Sequence, residues 1–344
     1  MVARDIPPEH RRALRQWLFA SIIAVFLTVI VGGITRLTES GLSITEWKPV
    51  SGMFPPLSAA HWESAYQEFL RIPQAQTTHS GITLGGFKFI YWWEWIHRFL
   101  ARGVGLVFAI PYVWLLVRGR IPRGLKLRLS ALPVLTLAQG ALGWYMVQSG
   151  LAVRVSVSSY RLTAHLALAL GILAVAVWTY SELSHHDERA PRASRSWRRA
   201  LAAMTAMITV TVLSGGFVAG LRAGKIYNTF PLMGGKVVPP GYAEMAPWWV
   251  NAFENPIAAQ FHHRVLAVLT GALALLLASL AFRSGMDERG IRAVRTLGAV
   301  VMLQVALGIA TLLMSVPIAL GVLHQFTGVL ALTAALVASE RARG

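Results

Sequence analysis

The sequence predicts an all-α polytopic membrane protein with eight transmembrane helices, arranged as two tandem four-helix bundles related by a pseudo-twofold axis along the membrane normal. Its composition is too apolar for a soluble domain of 344 residues, with 55% hydrophobic residues, 14% charged residues and a mean hydropathy of +0.54. Eight apolar stretches are long enough to cross a hydrocarbon core of about 30 Å, which takes roughly 20 helical residues. The second half of the chain also repeats the first.

The eight predicted spans follow one another with short connections, except after the first and the fifth. They lie near residues 17–35, 89–117, 127–148, 160–182, 200–220, 257–282, 293–315 and 319–339. The first stretch follows three arginines, as a signal peptide would, but it lacks a small-x-small cleavage pattern. We therefore interpret it as a retained span.

The basic residues indicate how the spans are oriented. The formal net charge is +17, and most of the 32 lysines and arginines fall at the N-terminus, in 118–128, in 189–199, in 283–295 and at the C-terminus. All of these segments share one side of the membrane if the spans alternate. The positive-inside rule then places both termini in the cytoplasm of a bacterial inner membrane. The charge is explained without a nucleic-acid partner.

The absence of cysteine restricts the chemistry. It excludes disulfides, zinc–thiolate sites, iron–sulfur ligation and covalent c-type haem attachment. Histidine must therefore carry any tight transition-metal site.

Repeat-related pairs run in the same order through both halves. Gly32-Gly33 closes the first span and Gly215-Gly216 closes the fifth, at an offset of 183. The further pairs are His97-Arg98 with His263-Arg264, Gln139 with Gln304, and His165 with His324, at offsets of 166, 165 and 159. The repeat predicts an N-terminal half at 17–182, a cytoplasmic linker at 183–199 and a C-terminal half at 200–339, both halves in the same orientation.

The long outer loops and the linker have different characters. A plausible N-cap at Ser58 precedes Trp62, Tyr66 and Phe69 on one helical face, which predicts an interfacial helix. The matching loop at 221–256 is predicted to form an irregular aromatic cover. The linker histidines, including His185, are assigned no specific role.

Four histidines, His97, His165, His263 and His324, stand apart because each lies about 8–12 Å inside the outer end of a predicted span. An ionisable side chain at that depth is costly unless it is paired or functional. Two histidines at equal depth in one four-helix bundle can ligate opposite faces of a haem iron, which predicts one haem site in each half. The alternative is a histidine hydrogen-bonded to a neighbouring helix. Zinc would need further ligands.

Nearby glycines and arginines fit the same interpretation. A flat macrocycle could approach the backbone at Gly103, Gly105, Gly171, Gly271, Gly321 and Gly328, although helix packing explains such glycines equally well. Arg98 and Arg264 are candidates for pairing with haem propionates, with interfacial anchoring as the alternative. Weaker candidates of the same kind are Arg36, Lys88, Arg161 and Arg222.

The two halves differ at Glu94, which lies one helical turn before His97 and has Gln260 as its counterpart. A carboxylate beside only the first haem, among Trp92, Trp93 and Trp95, could take a proton or stabilise positive charge at the porphyrin edge. The alternative is an interfacial ion pair with Arg98. The asymmetry suggests chemistry in the N-terminal half and a resident haem in the C-terminal half.

These features, with the string Gly-Gly-Ile-Thr-Arg-Leu-Thr-Glu-Ser-Gly-Leu-Ser-Ile-Thr-Glu-Trp-Lys-Pro at 32–49, resemble the haem A synthase family from about Gly32 to Gly328. The resemblance implies an oxidoreductase that converts a methyl group of haem O to a formyl group, through a hydroxymethyl intermediate, for terminal oxidase biogenesis. It implies that His97 and His165 hold the substrate haem, that His263 and His324 ligate haem b, and that Glu94 is the functional carboxylate. Cysteine pairs found in one branch of the family are absent here.

Three questions remain open at the level of sequence. His262 could replace His263 as a ligand, but only His263 precedes an arginine as His97 does. The rival function is a di-haem b-type electron carrier that would not need Glu94, and a transporter is disfavoured because the repeats are parallel. The implied partners are haem O synthase, an unidentified electron-transfer partner, oxidase assembly factors and membrane lipid, and a homo-oligomer is left open.

Overall fold

The computed structural model describes residues 6–47, 51–151, 155–185 and 192–343, and within these ranges it is helical with no strand. Eight helices are long. They are α1 (Pro8–Leu37), α4 (Leu84–Val117), α5 (Arg123–Leu151), α6 (Ser159–His185), α7 (Arg195–Gly220), α9 (Pro256–Leu280), α10 (Glu288–Leu313) and α11 (Ile318–Arg341). Three short helices lie in the loops: α2 (Ala59–Leu70), α3 (Pro73–Gln76) and α8 (Asn251–Glu254).

Seven of the long helices are apolar enough to cross a membrane, which makes the chain an all-helical membrane protein. The exception is α5, which covers the predicted span 127–148 with 29 residues. Pro133, Gln139 and two glycines interrupt its apolar stretch and lower its mean hydropathy. The predicted all-helical membrane character is thus confirmed with seven candidate spans, and the eighth span at 127–148 stays a prediction.

Local sequence explains where several helices begin. The Ser58 hydroxyl accepts a hydrogen bond from the His61 amide at the start of α2, as predicted. Thr83 and Asp287 cap α4 and α10 in the same way. Asn255 caps α9, and its first residue is Pro256, which needs no amide partner at that position.

The main core lies where the two halves meet. Helices α1 and α6 pack against α7 and α11, and the other long helices lie outside these four. Leu14, Leu18, Phe108, Leu173 and Leu201 are among the fully buried side chains of this core. The site residues therefore project from helices that pack on a shared apolar centre.

A second core lies beneath the loop between α1 and α4. The aromatic face of α2 packs on α4, with the Trp62 and Tyr91 ring centres 5.0 Å apart and Phe69 fully buried. The sequence predicted that this face would lie in the membrane interface. It instead covers Phe87 and Tyr91 on α4. Phe87 lies in the additional turn of α4, which begins at Leu84 and not at the predicted residue 89.

The connection between α6 and α7 is shorter than the predicted linker 183–199, and residues 186–191 lie outside the described part of the chain. His185, which was assigned no role, lies 3.0 Å from the Glu340 carboxylate through Nδ1. Ser181 donates to the same carboxylate oxygen at 2.7 Å. This polar contact fastens the ends of α6 and α11 to one another.

Candidate functional site

The four predicted histidines lie on four different helices, and each residue is partly exposed. His97 is on α4, His165 on α6, His263 on α9 and His324 on α11.

In the C-terminal half, His263 and His324 face each other. Their ring centres are 6.3 Å apart and the ring planes are nearly perpendicular, at 88°. Two metal–imidazole bonds of about 2 Å, with about 1 Å from each nitrogen to its ring centre, give a separation of about 6 Å. The pair is therefore spaced to accept one metal ion between the two rings.

The tautomer of His263 follows from its hydrogen-bond partners. The single proton of the Ser214 hydroxyl is donated to the Thr211 carbonyl at 2.7 Å. The same oxygen lies 2.8 Å from His263 Nδ1, so it must accept a proton from that nitrogen. This leaves the Nε2 lone pair of His263 available to a metal, an outer-shell arrangement common at metal sites.

The other histidines also lie among hydrogen-bonding groups. The backbone carbonyls of Thr28 and Gln304 lie beside the His97 and His324 imidazoles, whose buried Nδ1 atoms have no side-chain partner among the described residues. In the N-terminal half, His97 and His165 lie close enough for a charge on one to repel a charge on the other. The Gln139 amide reaches the His165 ring nitrogens at 3.2 Å. These contacts help to orient the three rings.

Each imidazole is backed by one glycine on a neighbouring helix. A Cβ atom added at any of these glycines would lie closer to the imidazole Cε1 than ordinary van der Waals contact allows. The four pairs are Gly32 with His97 at 2.9 Å, Gly143 with His165 at 3.0 Å, Gly215 with His263 at 3.1 Å and Gly308 with His324 at 2.7 Å. These glycines fix how near each imidazole stands to the adjacent backbone.

The glycines expected to make room for a macrocycle are therefore not the ones that touch the histidines. Gly103, Gly105 and Gly171 have no neighbour that a Cβ would meet within 4 Å. Gly271, Gly321 and Gly328 instead face Val305, Leu37 and Gln304. The sequence repeat pairs Gly32 with Gly215. Their contact with the imidazoles depends on how the helices pack, which the repeat alone does not predict.

Glu94 is almost fully buried, at 2% exposure, and its carboxylate is saturated with donors. One oxygen accepts from the Ser43 hydroxyl and from the Ile44 amide, each at 2.8 Å. The other accepts from Arg98 at 2.7 and 3.1 Å. The ion pair with Arg98 weighed as an alternative is thus present, and Ser43 and Ile44 are partners that sequence reasoning missed, since they lie some 50 residues away.

Arg98 and Arg264 bind the loops that follow α1 and α7 with the same pattern of contacts. Arg98 donates to the carbonyls of Ile44 at 3.0 Å and Glu46 at 3.3 Å. Arg264 donates to the carbonyls of Tyr227 and Thr229, both at 2.6 Å. The accepting positions are separated by 183 residues in each case, the offset of the Gly-Gly pairs.

The two halves diverge at the residue one turn before the histidine. Gln260 is as buried as Glu94, but its amide donates to the Tyr227 carbonyl at 3.1 Å instead of accepting from a backbone amide. No carboxylate of the described residues pairs with Arg264, and its buried Nε lacks an acceptor among them. At this matched position only the N-terminal half carries a negative charge.

His262 points away from the pair that His263 forms with His324. Its Nε2 lies 2.7 Å from the Tyr242 hydroxyl in the outer loop. The geometry brings only His263 to His324, in agreement with the register argument from the sequence.

The weaker arginine and lysine candidates are engaged with protein. Arg222 pairs with Glu39 at 2.9 Å, and Arg36 donates to the Ala219 carbonyl. Arg161 stacks over the Tyr145 ring at 3.6 Å and donates to the Tyr145 carbonyl. Lys88 lies over the Trp62 ring at 5.3 Å. Arg36, Glu39 and Arg222 thus connect the C-terminal ends of α1 and α7.

The chain is similar to known proteins over most of its length. Residues 15–336 match the model of a family described as cytochrome oxidase assembly protein (COX15-CtaA). The chain is 48% identical to a protein named heme A synthase from Sinorhizobium medicae over 92% of this chain and 86% of that one. A protein of the same name from Rhizobium meliloti gives the same identity and shares. Another from Bradyrhizobium sp. is 46% identical over 97% of this chain and 92% of its own length.

Proposed function

The chain belongs to the family of bacterial haem A synthases, and from this premise we propose that it oxidises a methyl group of haem O to the formyl group of haem A. The observation that carries the proposal is the buried Glu94 beside only one of two histidine pairs. An electron carrier that leaves its haem unchanged would not need a carboxylate beside only one of its two histidine pairs.

We place the substrate haem in the N-terminal half. His97 and His165 would hold its iron, with Gly32 and Gly143 setting how closely the imidazoles stand to α1 and α5. If both imidazoles stayed on the substrate iron, no position would remain open for oxygen, which would disfavour simple oxygen insertion at the metal.

The oxidation then proceeds at the methyl carbon. A water molecule supplies the oxygen of the hydroxymethyl intermediate with loss of two electrons and two protons, and a second two-electron, two-proton step yields the formyl group. Glu94 would stabilise the positive charge that develops at the carbon or accept a proton from the attacking water. Proton acceptance requires Arg98 or Ser43 to release a carboxylate oxygen, so the hydrogen-bond pattern favours charge stabilisation.

The C-terminal half would hold a resident haem b through His263 and His324. The ring separation and the tautomer of His263 fit this group. When bound, a b-type haem supplies a one-electron redox centre. Arg264, with its unused buried Nε, is the better supported candidate for a propionate contact, since Arg98 is occupied by Glu94.

The architecture we propose is two tandem four-helix bundles, 17–182 and 200–339, joined by a cytoplasmic linker at 183–199 and related by a pseudo-twofold axis along the membrane normal. It is supported by the matching loop contacts of Arg98 and Arg264. It takes α5 as the eighth span, in the bundle position that α10 has in the other half. Both termini would lie in the cytoplasm of the inner membrane, with the haem sites near the outer face.

The proposed partners follow from the reaction. Haem O would be delivered by haem O synthase, electrons would leave to a redox partner, and haem A would pass to oxidase assembly factors. A homo-oligomer is compatible with this scheme.

The test is a pigment extraction from membranes of cells that make haem O and express the chain. Wild type is expected to produce haem A, and Glu94→Ala is expected to leave haem O unconverted. Gln260→Ala, at the matching position of the other half, is the control and should still produce haem A. A haem profile that wild type leaves unchanged would instead support the electron carrier.

The source of the oxygen is tested separately with labelled water and labelled dioxygen. Label from water in the hydroxymethyl and formyl groups is expected. Label that enters only from dioxygen, after correction for aldehyde exchange, would exclude the water route.

A further inference from the structure

A cavity opens between α6, α7 and α11, at the end of the bundle opposite the four histidines. It has a volume of about 540 Å³. Arg198 and Thr205 on its wall are seven residues apart, so the cavity extends about 10 Å along α7. Basic, small and aromatic side chains line it: Trp178 from α6, Arg192 before α7, Arg198, Ala202 and Thr205 from α7, and Ser339 and Arg343 at the end of α11.

Three arginines supply the charge of the cavity. The guanidinium of Arg343 lies over the Trp178 ring at 4.6 Å, a contact that uses its face and leaves the N–H groups at its edge free to donate. Arg198 donates through Nη1 to the Ala193 carbonyl at 3.0 Å. No carboxylate of the described residues forms an ion pair with Arg192, Arg198 or Arg343.

The acidic side chains at this end of α6 and α11 have other partners. Glu182 pairs with Arg128 on α5 at 2.5 Å. Glu340 accepts from Ser181 at 2.7 Å and lies 3.0 Å from Nδ1 of His185. Neither glutamate lines the cavity, so an anion that enters it would meet the guanidinium groups first.

The hydroxyl groups of the cavity are engaged within the protein. Thr205 donates to the Leu201 carbonyl at 2.9 Å. The Ser339 hydroxyl lies 3.0 Å from that of Thr205 and donates to the same carbonyl at 3.3 Å. The arginines are therefore the donors that the cavity offers to an anion.

Aromatic side chains stand at the matching place between α1, α6 and α11. At the repeat offsets of 183 and 159, Phe19 matches Ala202 and Tyr180 matches Ser339. The two ring centres are 6.0 Å apart, and the guanidinium of Arg15, which matches Arg198, lies 5.8 Å from the Tyr180 ring centre. The small residues Ala202 and Ser339 therefore leave space where the repeat places two rings.

The position of the cavity suits a phospholipid headgroup. The three helices that form it are apolar enough to cross a membrane, and the cavity lies where all three have an end. Ala202 continues into an exposed stripe of α7 with Ala206 and Val210, at the four-residue spacing of one helix face. A phosphate held by the arginines would therefore place its acyl chains along an apolar helix surface.

We propose that this cavity binds one anionic phospholipid. Arg192, Arg198 and Arg343 hold its phosphate, and an acyl chain lies along α7 from Ala202 to Val210. Guanidinium groups match phosphate oxygens in geometry and charge, and basic pockets between transmembrane helices bind anionic headgroups. The exposed apolar stripe favours a lipid over a free phosphate ion. This inference goes beyond the proposed haem chemistry and requires only that the chain is embedded in a membrane.

The test counts lipids bound to the purified full chain by native mass spectrometry, after incubation with equimolar phosphatidylglycerol and phosphatidylcholine in detergent. Wild type is expected to retain one phosphatidylglycerol in preference to phosphatidylcholine. The double variant R198Q/R343Q is expected to retain it about thirtyfold less, because each arginine near an anionic headgroup contributes roughly fivefold to binding. The control R12Q/R295Q removes the same charge from exposed positions that do not line the cavity, so it should retain the lipid as wild type does.

A third variant tests the space in the cavity. A202F/S339Y introduces the two aromatic residues of the matching place and keeps the arginines, so it should also lose the bound phosphatidylglycerol. Thermal unfolding in phosphatidylcholine alone is expected to be unchanged for all variants, which shows that each one folds. If A202F/S339Y does not fold, the comparison of R198Q/R343Q with its control decides the question.

An excess of inorganic phosphate distinguishes a lipid site from a site for a free anion, and it should leave the bound phosphatidylglycerol in place. Displacement of the lipid by inorganic phosphate would overturn the proposal. Equal retention of the two lipids by wild type, or equal losses in R198Q/R343Q and R12Q/R295Q, would overturn it as well.

Discussion

The side-chain amide of Gln325 in α11 donates a hydrogen bond to the backbone carbonyl of Val29 in α1, with an N–O distance of 2.8 Å. Gln325 follows His324. A Cβ at Gly33 would lie 2.7 Å from the side-chain amide oxygen of Gln325. Gly33 in turn follows Gly32, which backs His97. A continuous path of contacts therefore joins one candidate iron ligand in each half.

A second path runs in the opposite direction. Leu166 follows His165 and would lie 3.3 Å from a Cβ at Gly216, next to the Gly215 that backs His263. The two paths differ because Gln325 in the first is matched by Leu166 in the second. Only the path through Gln325 contains an interhelical hydrogen bond among these contacts.

Replacing Gln325 with leucine, the residue at the matching position, tests whether this bond holds the halves together. The variant loses one buried hydrogen bond, so its free energy of unfolding should fall by about 1 kcal/mol. Thermal unfolding in detergent measures the change. Gln67→Leu, on the exposed face of α2, is the control and should have little effect, and an unchanged stability of Gln325→Leu would show that the bond contributes nothing.

Alanine at the glycines that back the histidines should affect the two haem sites separately. Gly308→Ala would push the His324 imidazole, since the new Cβ would lie 2.7 Å from its Cε1, so bound haem b should decrease. Gly143→Ala would displace His165 and lower substrate haem binding instead. Absorbance spectroscopy with haem extraction measures both.

Gly140→Ala is the control for these variants. No neighbour lies within 4 Å of a Cβ at this position, and Val305 occupies the matching position of the other half. Gly140→Ala should retain both haems. Retention of both haems by Gly308→Ala would contradict the assigned role of the glycine.

Ser214→Ala should weaken the resident haem site without removing a ligand. The variant deletes the acceptor that fixes the tautomer of His263, and outer-shell losses of this kind typically lower metal affinity by about 10- to 100-fold. Haem titration of the purified protein measures the affinity. Ser279→Ala is the matched control on α9, because that hydroxyl contacts only the Leu275 carbonyl of its own helix. Equal affinities for the two variants would show that Ser214 does not orient His263.

Neutralising the ion pair between Glu94 and Arg98 separates the effect on stability from the effect on haem A formation. Glu94→Gln leaves Arg98 buried opposite a neutral amide, and breaking a buried pair costs about 3–5 kcal/mol. Haem A formation should be lost and stability should fall. The double variant E94Q/R98Q removes both charges, so it should regain stability but not activity. Recovery of activity in the double variant would assign Glu94 a purely structural role.

The features that the sequence predicted well depend on local patterns. Hydropathy located the seven candidate spans that the structure contains, and repeat offsets favoured His263 over His262, which is the one that lies beside His324. The features it missed depend on packing between distant segments. The partners of Glu94 are in a loop that returns to α4, and the glycines behind the imidazoles are recognisable only when α1, α5, α7 and α10 are placed beside the histidine helices. The aromatic face of α2 was predicted to contact lipid because helical periodicity describes one helix at a time. Its partner, Tyr91, lies on a different helix.

The central claim is that the N-terminal half holds the substrate haem and the C-terminal half holds a resident haem b. One histidine variant in each half tests it most directly. Haem A and haem b are quantified in membranes that contain haem O and express His165→Ala or His324→Ala. The account predicts that His165→Ala forms no haem A and keeps its haem b, whereas His324→Ala loses haem b. Haem A formed at the wild-type level by His165→Ala would contradict the account.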